Sequence, residues 1–585
     1  MKNNEKAENL LSKREPLIMY IICVGFHHSR GPEIEYCYPE LSEIPVEWSL
    51  LPFMALPDGV HLLIKIFKNE EDFSYFCIKN SNDKTLFNNS NYGSLKTIYG
   101  ISCTRQLLSS ELMDRPIDVT RSTIQKSIVL LVSRPAFGHI KEKLRVVTHA
   151  YFSQRNFEDR NILMHFYDSF VQIFHNGINN HELYLGIPLR ELLYQFRWKT
   201  LVVLKAMLLE QRILFYGTRS ETLCIIQYSF LSLIPGLLEN LQDASDPLLN
   251  TIELQLKKST SLCTNNRKSL LLYMGMPFQI FSKGSFFGPY TPLQQIKMLE
   301  NESTKSYIIG STNSLFLQMK KKYADLVVNV DTGEIDILHP LLKNVLSLSF
   351  SDKKWINSII MSVINSWDES DTSRPKSMGF LGSEEDLRAQ FEEYFLALAA
   401  TVKYDNYLNK IKNLPNFNVA SLDTHENTIR GFGRSWIEQW KFSENYRLWN
   451  KYTDDKLFDV VEPKHPAINY GVSLENMQYK LARQVQELKL NERAAIAKKT
   501  INKGWNSGSQ KISQVMGSLF DHMESYRTER RKRYQEIHPQ YTTTPDSEID
   551  SDSSSYFSNM QSKAGYYVSA FADWAYNKKR TVQHS

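Results

Sequence analysis

The first long apolar stretch of this chain, Leu17 to Gly25, is unbroken and of strand length. Ser29-Arg30-Gly31-Pro32 is a turn signal, and Glu33 to Tyr38 returns with alternating apolar residues, so a hairpin is predicted. Ser127 to Ser133 reads as another buried strand. Ile140 to Phe152 and Arg160 to Phe174 read as helices, the second with apolar residues at helical spacing.

From Leu183 to Leu338 the pattern alternates. Leu189 to Leu209 reads as one long apolar helix, Arg212 to Gly217 as a strand, and Ser220 to Ile234 as a helix stopped by Pro235-Gly236. Ser306 to Gly310 follows as a strand, Asn313 to Tyr323 as a helix and Ala324 to Val330 as a strand. Asp331-Thr332-Gly333 turns the chain into Glu334 to Leu338. Such alternation predicts an α/β layer structure. Asp352 to Ser366 and Glu384 to Tyr404 read as helices, the latter begun by Ser383-Glu384-Glu385-Asp386, which places acidic residues in the first turn. Asp368 to Ser383, polar and interrupted by Gly and Pro, reads as a mobile loop. The expected division is 16–175, 183–340, 341–470 and a tail, 471–585, with the first two joined near Asn176 to Glu182.

With 585 residues, several domains are expected. The six cysteines, at 23, 37, 77, 103, 224 and 263, form no CxxC pair and read as buried free thiols in a reducing compartment. No segment reads as a membrane span: Leu17 to Phe26 is too short, and Leu201 to Tyr216 is interrupted by Lys205, Glu210 and Arg212. The net charge of +5 sits in the tail, which holds 17 of the 69 basic and 12 of the 64 acidic residues. The body is balanced, which argues against a nucleic-acid-binding surface and for a surface-seeking tail.

That tail is expected to be partly disordered and partly amphipathic. On a helix, Ile501, Trp505, Ile512, Val515, Met516, Leu519, Phe520 and Met523 fall within an arc of about 140°. The basic run Arg527, Arg530, Arg531, Lys532 and Arg533 follows, and Tyr567, Ala570, Phe571 and Trp574 before Lys578-Lys579-Arg580 repeat the aromatic-then-basic order. These segments are candidates for contact with anionic or loosely packed membrane, or for docking on the body. Thr544, Ser547 and Ser551 are candidate phosphorylation sites in an acidic serine tract, where added charge would weaken lipid attraction.

Signatures of covalent chemistry do not hold. GxxxxGK[ST], GxGxxG, HExxH and GxSxG do not occur, and His27-His28 lacks a spaced third metal ligand. The tract Asp546 to Phe557 has Ser551 and Phe557 where a calcium loop needs glycine and glutamate. No catalytic residue, metal or cofactor is expected.

Several stretches do carry a resemblance. They are Gly25-Phe26-His27-His28 with Gly31-Pro32-Glu33-Ile34-Glu35-Tyr36, Leu56-Pro57-Asp58-Gly59-Val60-His61, Tyr99 to Gln106, Phe137-Gly138, Phe196-Arg197, Gln211 to Gly217, and Met274 to Phe281. Phe286-Phe287-Gly288-Pro289-Tyr290, Gly310 to Asn313 and Ala324 to Asp331 complete the set. In this order and spacing the chain resembles the Avl-nine family of DENN-module proteins over residues 16–340. The resemblance implies an α/β, bilobal DENN module, with a longin-like N-lobe and an α/β C-lobe with appended helices. It also implies a regulator of Golgi-to-surface traffic, cytoplasmic and peripherally recruited to Golgi or post-Golgi membranes. Such a protein binds a Rab-type small GTPase and promotes GDP/GTP exchange, or serves as a scaffold or effector without exchange.

Read from the residues alone, Gly25, Gly31 and Gly59 permit turns and Leu56 to Gly59 is a plain turn signal. Phe286 to Tyr290 is a loop-like segment that either plugs the core or meets a partner. Arg197 and Arg212 read as helix-end or lobe-interface residues.

Overall fold

The computed structural model describes residues 17–27, 29–58, 71–80, 95–113, 122–175, 177–263, 266–376, 379–411 and 428–468. The described residues all fall in one compact unit; a second unit, Asn491–Ser585, lies outside them.

The predicted hairpin forms from β1 (Ile18–His27) and β2 (Gly31–Tyr38). With β3 (Asp72–Lys79), β4 (Thr97–Leu108) and β5 (Thr123–Val132) it makes an antiparallel sheet in the order β2-β1-β5-β4-β3. The unbroken apolarity of β1 follows from its place inside the sheet. Ile21 and Cys23 face one buried cluster; Tyr20, Ile22 and Val24 face another, with Trp48, Leu51 and Met54. The pattern did not reveal β3 and β4, because Ser74, Gly100 and Ser102 interrupt them. Ser74 donates to the Met54 carbonyl at 2.7 Å and Ser102 to that of Ala55 at 3.0 Å, so these hydroxyls are buried and satisfied. Helices α1 (Phe137–Ser153) and α2 (Asn161–Ile173) pack on this sheet.

The expected long helix from 189 to 209 is two, α3 (Leu189–Phe196) and α4 (Lys199–Leu208). Arg197 between them takes φ 50°, a left-handed turn that ends the first helix. The break at Arg197-Trp198 is exposed, but buried residues flank it closely, Leu192, Leu193 and Phe196 before it and Thr200 to Leu208 after it, so the apolar pattern resumes at once and conceals it. Strand β6 (Arg212–Tyr216) and α5 (Ser220–Ser232) follow as read. The second sheet adds β7 (Ser285–Gly288), β8 (Ser306–Ser311), β9 (Leu326–Asn329) and β10 (Glu334–Ile337) in the order β10-β9-β6-β8-β7. Its strands are parallel except β10, which returns through the turn at Gly333 (φ 67°) and pairs antiparallel with β9. The stretch 313–323 is two short helices, Ser314–Gln318 and Lys320–Tyr323, rather than one. Helix α5 touches β3 of the first sheet and β6 and β8 of the second, so one hydrophobic core continues through both.

Beyond the sheets come α6 (Pro340–Val345), α7 (Phe350–Asn365), α8 (Glu384–Ile411), α9 (Arg434–Trp440) and α10 (Glu444–Tyr452). A capping box starts α7: Ser349 accepts from the Asp352 amide, and Asp352 from that of Ser349. Helix α8 runs a further two turns past the expected end at Tyr404. The stretch Asp368 to Ser383, read as mobile, is tethered at both ends. The buried Arg190 of α3 donates to Thr372 O at 3.0 Å, Ser366 O at 2.9 Å and Gly382 O. The fold class is α/β, with two sheets.

Candidate functional site

The motif residues fall into two places. The first is the β1–β2 hairpin. The Nδ1 atom of His27 accepts the amides of Ser29 at 3.2 Å and Arg30 at 3.3 Å, so His27 braces the turn. Gly31 supplies a positive φ of 84°, and Pro32 follows. Arg30 grips Glu33 through two bonds of 2.8 and 2.6 Å, which hold the Glu33 carboxyl below its ordinary value. Gly25 is not a turn residue. It lies in β1 where a Cβ would come within 1.6 Å of a Glu35 carboxylate oxygen, and Glu35 is paired with Lys126 of β5. His28, Gly59 and His61 lie outside the described residues.

The second place is a seam between the sheets, where distant motifs meet. The Asp58 amide, after Pro57, donates to the Tyr290 hydroxyl at 2.6 Å, 232 residues away in sequence. Thr312 donates to the Asp58 carbonyl at 2.7 Å, and Asn313 to its carboxylate at 3.1 Å. The Pro289 carbonyl accepts from Gln227 of α5 at 2.7 Å. Gly288 ends β7, so most of the segment read as loop-like is a buried strand at the edge of the second sheet, with Phe286, Phe287 and Tyr290 in the core. Burial pushes the Tyr290 phenol well above its ordinary pKa.

Along the same seam Asp72 caps a helix it does not belong to. Its carboxylate accepts the Ser220 hydroxyl at 2.7 Å and the Glu221 amide at 3.2 Å, at the start of α5. Burial raises the Asp72 carboxyl and these bonds oppose the rise. Lys79 pairs with Asp246 at 2.9 Å, and a chain of rings, Tyr75, Phe137, Tyr228 and Phe287, crosses between the sheets at 4.7 to 5.2 Å. Asp72 carries no local signal, because its helix lies 148 residues onward.

A buried charge cluster ties the helical region to α4. Asp352 receives Lys205 at 2.5 Å, Tyr394 at 2.8 Å and His465 at 3.2 Å, all of them buried. Burial alone would raise the Asp352 carboxyl; Lys205 and His465 outweigh it and hold it at about 2. The same burial depresses the Lys205 and His465 pKa values. Lys205 also donates to the Phe432 carbonyl at 2.7 Å. In sequence Lys205 was visible only as an interruption of an apolar run.

The remaining expectations distribute as follows. Arg197 is a helix-end residue, as read; Arg212 opens β6 and is anchored to Asp325 at 2.8 and 3.1 Å, so it is neither at a helix end nor at the lobe interface. Cys23, Cys77, Cys103 and Cys224 are buried free thiols, whereas Cys37 is half-buried and Cys263 is exposed. Among the described residues no cluster of three or more His, Cys, Asp or Glu could hold a metal, and no helix is long and apolar enough to cross a membrane. Trp505, Ile512, Met516, Leu519, Phe520, Arg530 to Arg533, Thr544, Ser547, Ser551, Phe571 and Trp574 lie outside the described residues. Chemically, the seam and the charge cluster join layers, and the side chains of Asp58, Asp72, Tyr290 and Asp352 are each met by a partner from a distant segment.

Comparison with known proteins follows the same span. The family described as transport protein Avl9 matches residues 18–402. The late secretory pathway protein AVL9 of Saccharomyces cerevisiae is 40% identical over 476 residues, 78% of this chain and 61% of its own length. The late secretory pathway protein avl9 of Schizosaccharomyces pombe is 40% identical over 449 residues, 77% of this chain and 90% of its own. The match thus spans less than two thirds of the Saccharomyces cerevisiae protein.

Proposed function

We propose a function for this chain from its family: it belongs to the Avl9 family of transport proteins, and it acts in late secretory traffic, as its relatives' names say of them. In finer terms, we read it as a DENN-module regulator that binds a Rab-type GTPase at Golgi or post-Golgi membranes and promotes GDP/GTP exchange. The observation that carries this reading is the family match across both sheets, residues 18–402. An exchange factor makes no covalent bond. It binds the GTPase in a state that holds nucleotide poorly, so release accelerates by differential binding. That work needs a rigid, shaped surface, and a seam that locks two sheets together supports it.

The test is release of labelled GDP from a panel of purified Rab-type GTPases by the full chain, alongside secretion of a reporter cargo in cells lacking the protein. Release from one GTPase should rise at least about tenfold, and cargo should accumulate inside the cell. Binding without accelerated release would replace exchange by a scaffold role. Normal secretion in the deleted cells would remove the trafficking role itself.

A further inference from the structure

A groove of about 570 Å³ runs beside β10 and α7. Val202, Ile335, Ile337, Leu346 and Leu348 give it an apolar floor. Trp198, 46% exposed, stands at its edge. Phe350, 84% exposed, opens α7 three residues before Lys353 and seven before Asn357, both of which line the groove, so the three share one helix face. Two large aromatics held in water beside an apolar recess are costly unless something covers them, and tryptophan is prominent among residues that anchor partners.

The charge around the recess is one-sided. Lys343 and Lys353 line it, both exposed, and neither is paired with a carboxylate among the described residues. The single carboxylate in the lining, Asp336, is already engaged by Lys320 at 2.6 Å. The available charge is therefore positive.

We propose that this groove docks an amphipathic helix of a partner protein, its apolar face on the floor between Trp198 and Phe350 and its acidic residues beside Lys343 and Lys353. Side chains projecting at i, i+3 or i+4, and i+7 from a helix fill a concave apolar recess, whereas a flat bilayer surface covers it without filling it. The unpaired lysines select acidic flanks by charge complementarity. This site is separate from the seam and does not depend on nucleotide exchange.

The test selects random peptides of about 16 residues, a helix of about 24 Å, displayed on phage against the full chain. Enriched peptides should carry apolar residues at helical spacing with Asp or Glu on the flanks. Binding of the synthesised peptide should weaken at least about tenfold in Trp198→Ser and in Lys343→Glu/Lys353→Glu. A peptide with lysine in place of its acidic residues should recover binding to the double variant. All three positions are exposed, and cooperative thermal unfolding verifies the fold. Should Trp198→Ser unfold, the lysine pair and its charge reversal still decide. No enrichment of acidic amphipathic sequences, or binding unchanged by the lysine variants, overturns the proposal. Self-association of the chain that Trp198→Ser abolishes would assign the groove to a second copy. Flotation with phosphatidylserine vesicles that the lysine variants abolish would assign it to a membrane; either outcome also overturns the proposal.

Discussion

The seam between the two sheets and the groove beside Trp198 use similar residues, aromatics and charges over an apolar base, yet they are completed differently. At the seam Asp58, Asp72 and Tyr290 each meet a partner from the other half of the chain, and the rings lie inside. The Asp352 cluster is completed in the same way. At the groove the lysines and the two aromatics face water. Residue type therefore does not separate structural junctions from recognition surfaces. The state of satisfaction does, because an unmet buried polar group is costly while an exposed cation waits at little cost.

The comparison breaks most visibly at Lys205. Lys205→Met leaves Asp352 as a buried charge short of its main counterion and should destabilise the chain by about 3–5 kcal/mol, read from the midpoint of urea unfolding. Lys205→Met with Asp352→Leu should recover part of that loss. A single variant as stable as the wild type would mean that the cluster is not closed.

Acid probes the same junction without mutation. Asp352 sits at about 2 in the folded chain against an ordinary 3.8. A carboxyl depressed by folding stabilises above its unfolded value and loses that contribution as pH falls through the folded one. About 2 kcal/mol should therefore disappear between about pH 4 and pH 2, and this component should be missing from acid unfolding curves of Asp352→Asn.

At the seam, Asp72→Ala removes the cap of α5 and should cost about 1–2 kcal/mol, with a lowered thermal midpoint. Asp72→Asn, which keeps an acceptor, should lose less. Equal losses would show that the charge, rather than the capping bond, matters there.

The groove should be quieter by the same measure. Phe350→Ser should shift stability by no more than about 0.5 kcal/mol, because that side chain is 84% exposed; Trp198→Ser, at a residue 46% exposed, should cost more than Phe350→Ser but less than the Lys205 variant. A large loss would make the groove part of the core and erase the contrast.

Much of the fold was legible in one dimension. The strand at 18–27, its hairpin partner, the β–α alternation after 212 and the helix starting at Ser383-Glu384 all follow from local rules. Burial on one or both faces writes a period into the chain, and turns and caps need particular residues. The motif stretches also identified the family. The same reading missed β3 and β4, whose small polar residues are satisfied by carbonyls elsewhere, and it joined α3 to α4, because the short exposed break at Arg197-Trp198 is flanked closely by buried apolar residues on both sides.

What the sequence determined by itself is thus the type and approximate place of the elements with a clear apolar period or a turn or cap signal, and the family. What the tertiary structure decided is who meets whom. Asp72 caps α5, and Glu210, held at φ 52°, presents its carboxylate to the Glu444 and Asn445 amides at the start of α10. Lys205 finds Asp352 across 147 residues, and the recess beside Trp198 exists only where α4, β10 and α7 come together. Local periodicity records how buried a residue is but not its partner, because the contacts that neutralise a charge or form a groove are made between segments whose separation along the chain carries no pattern.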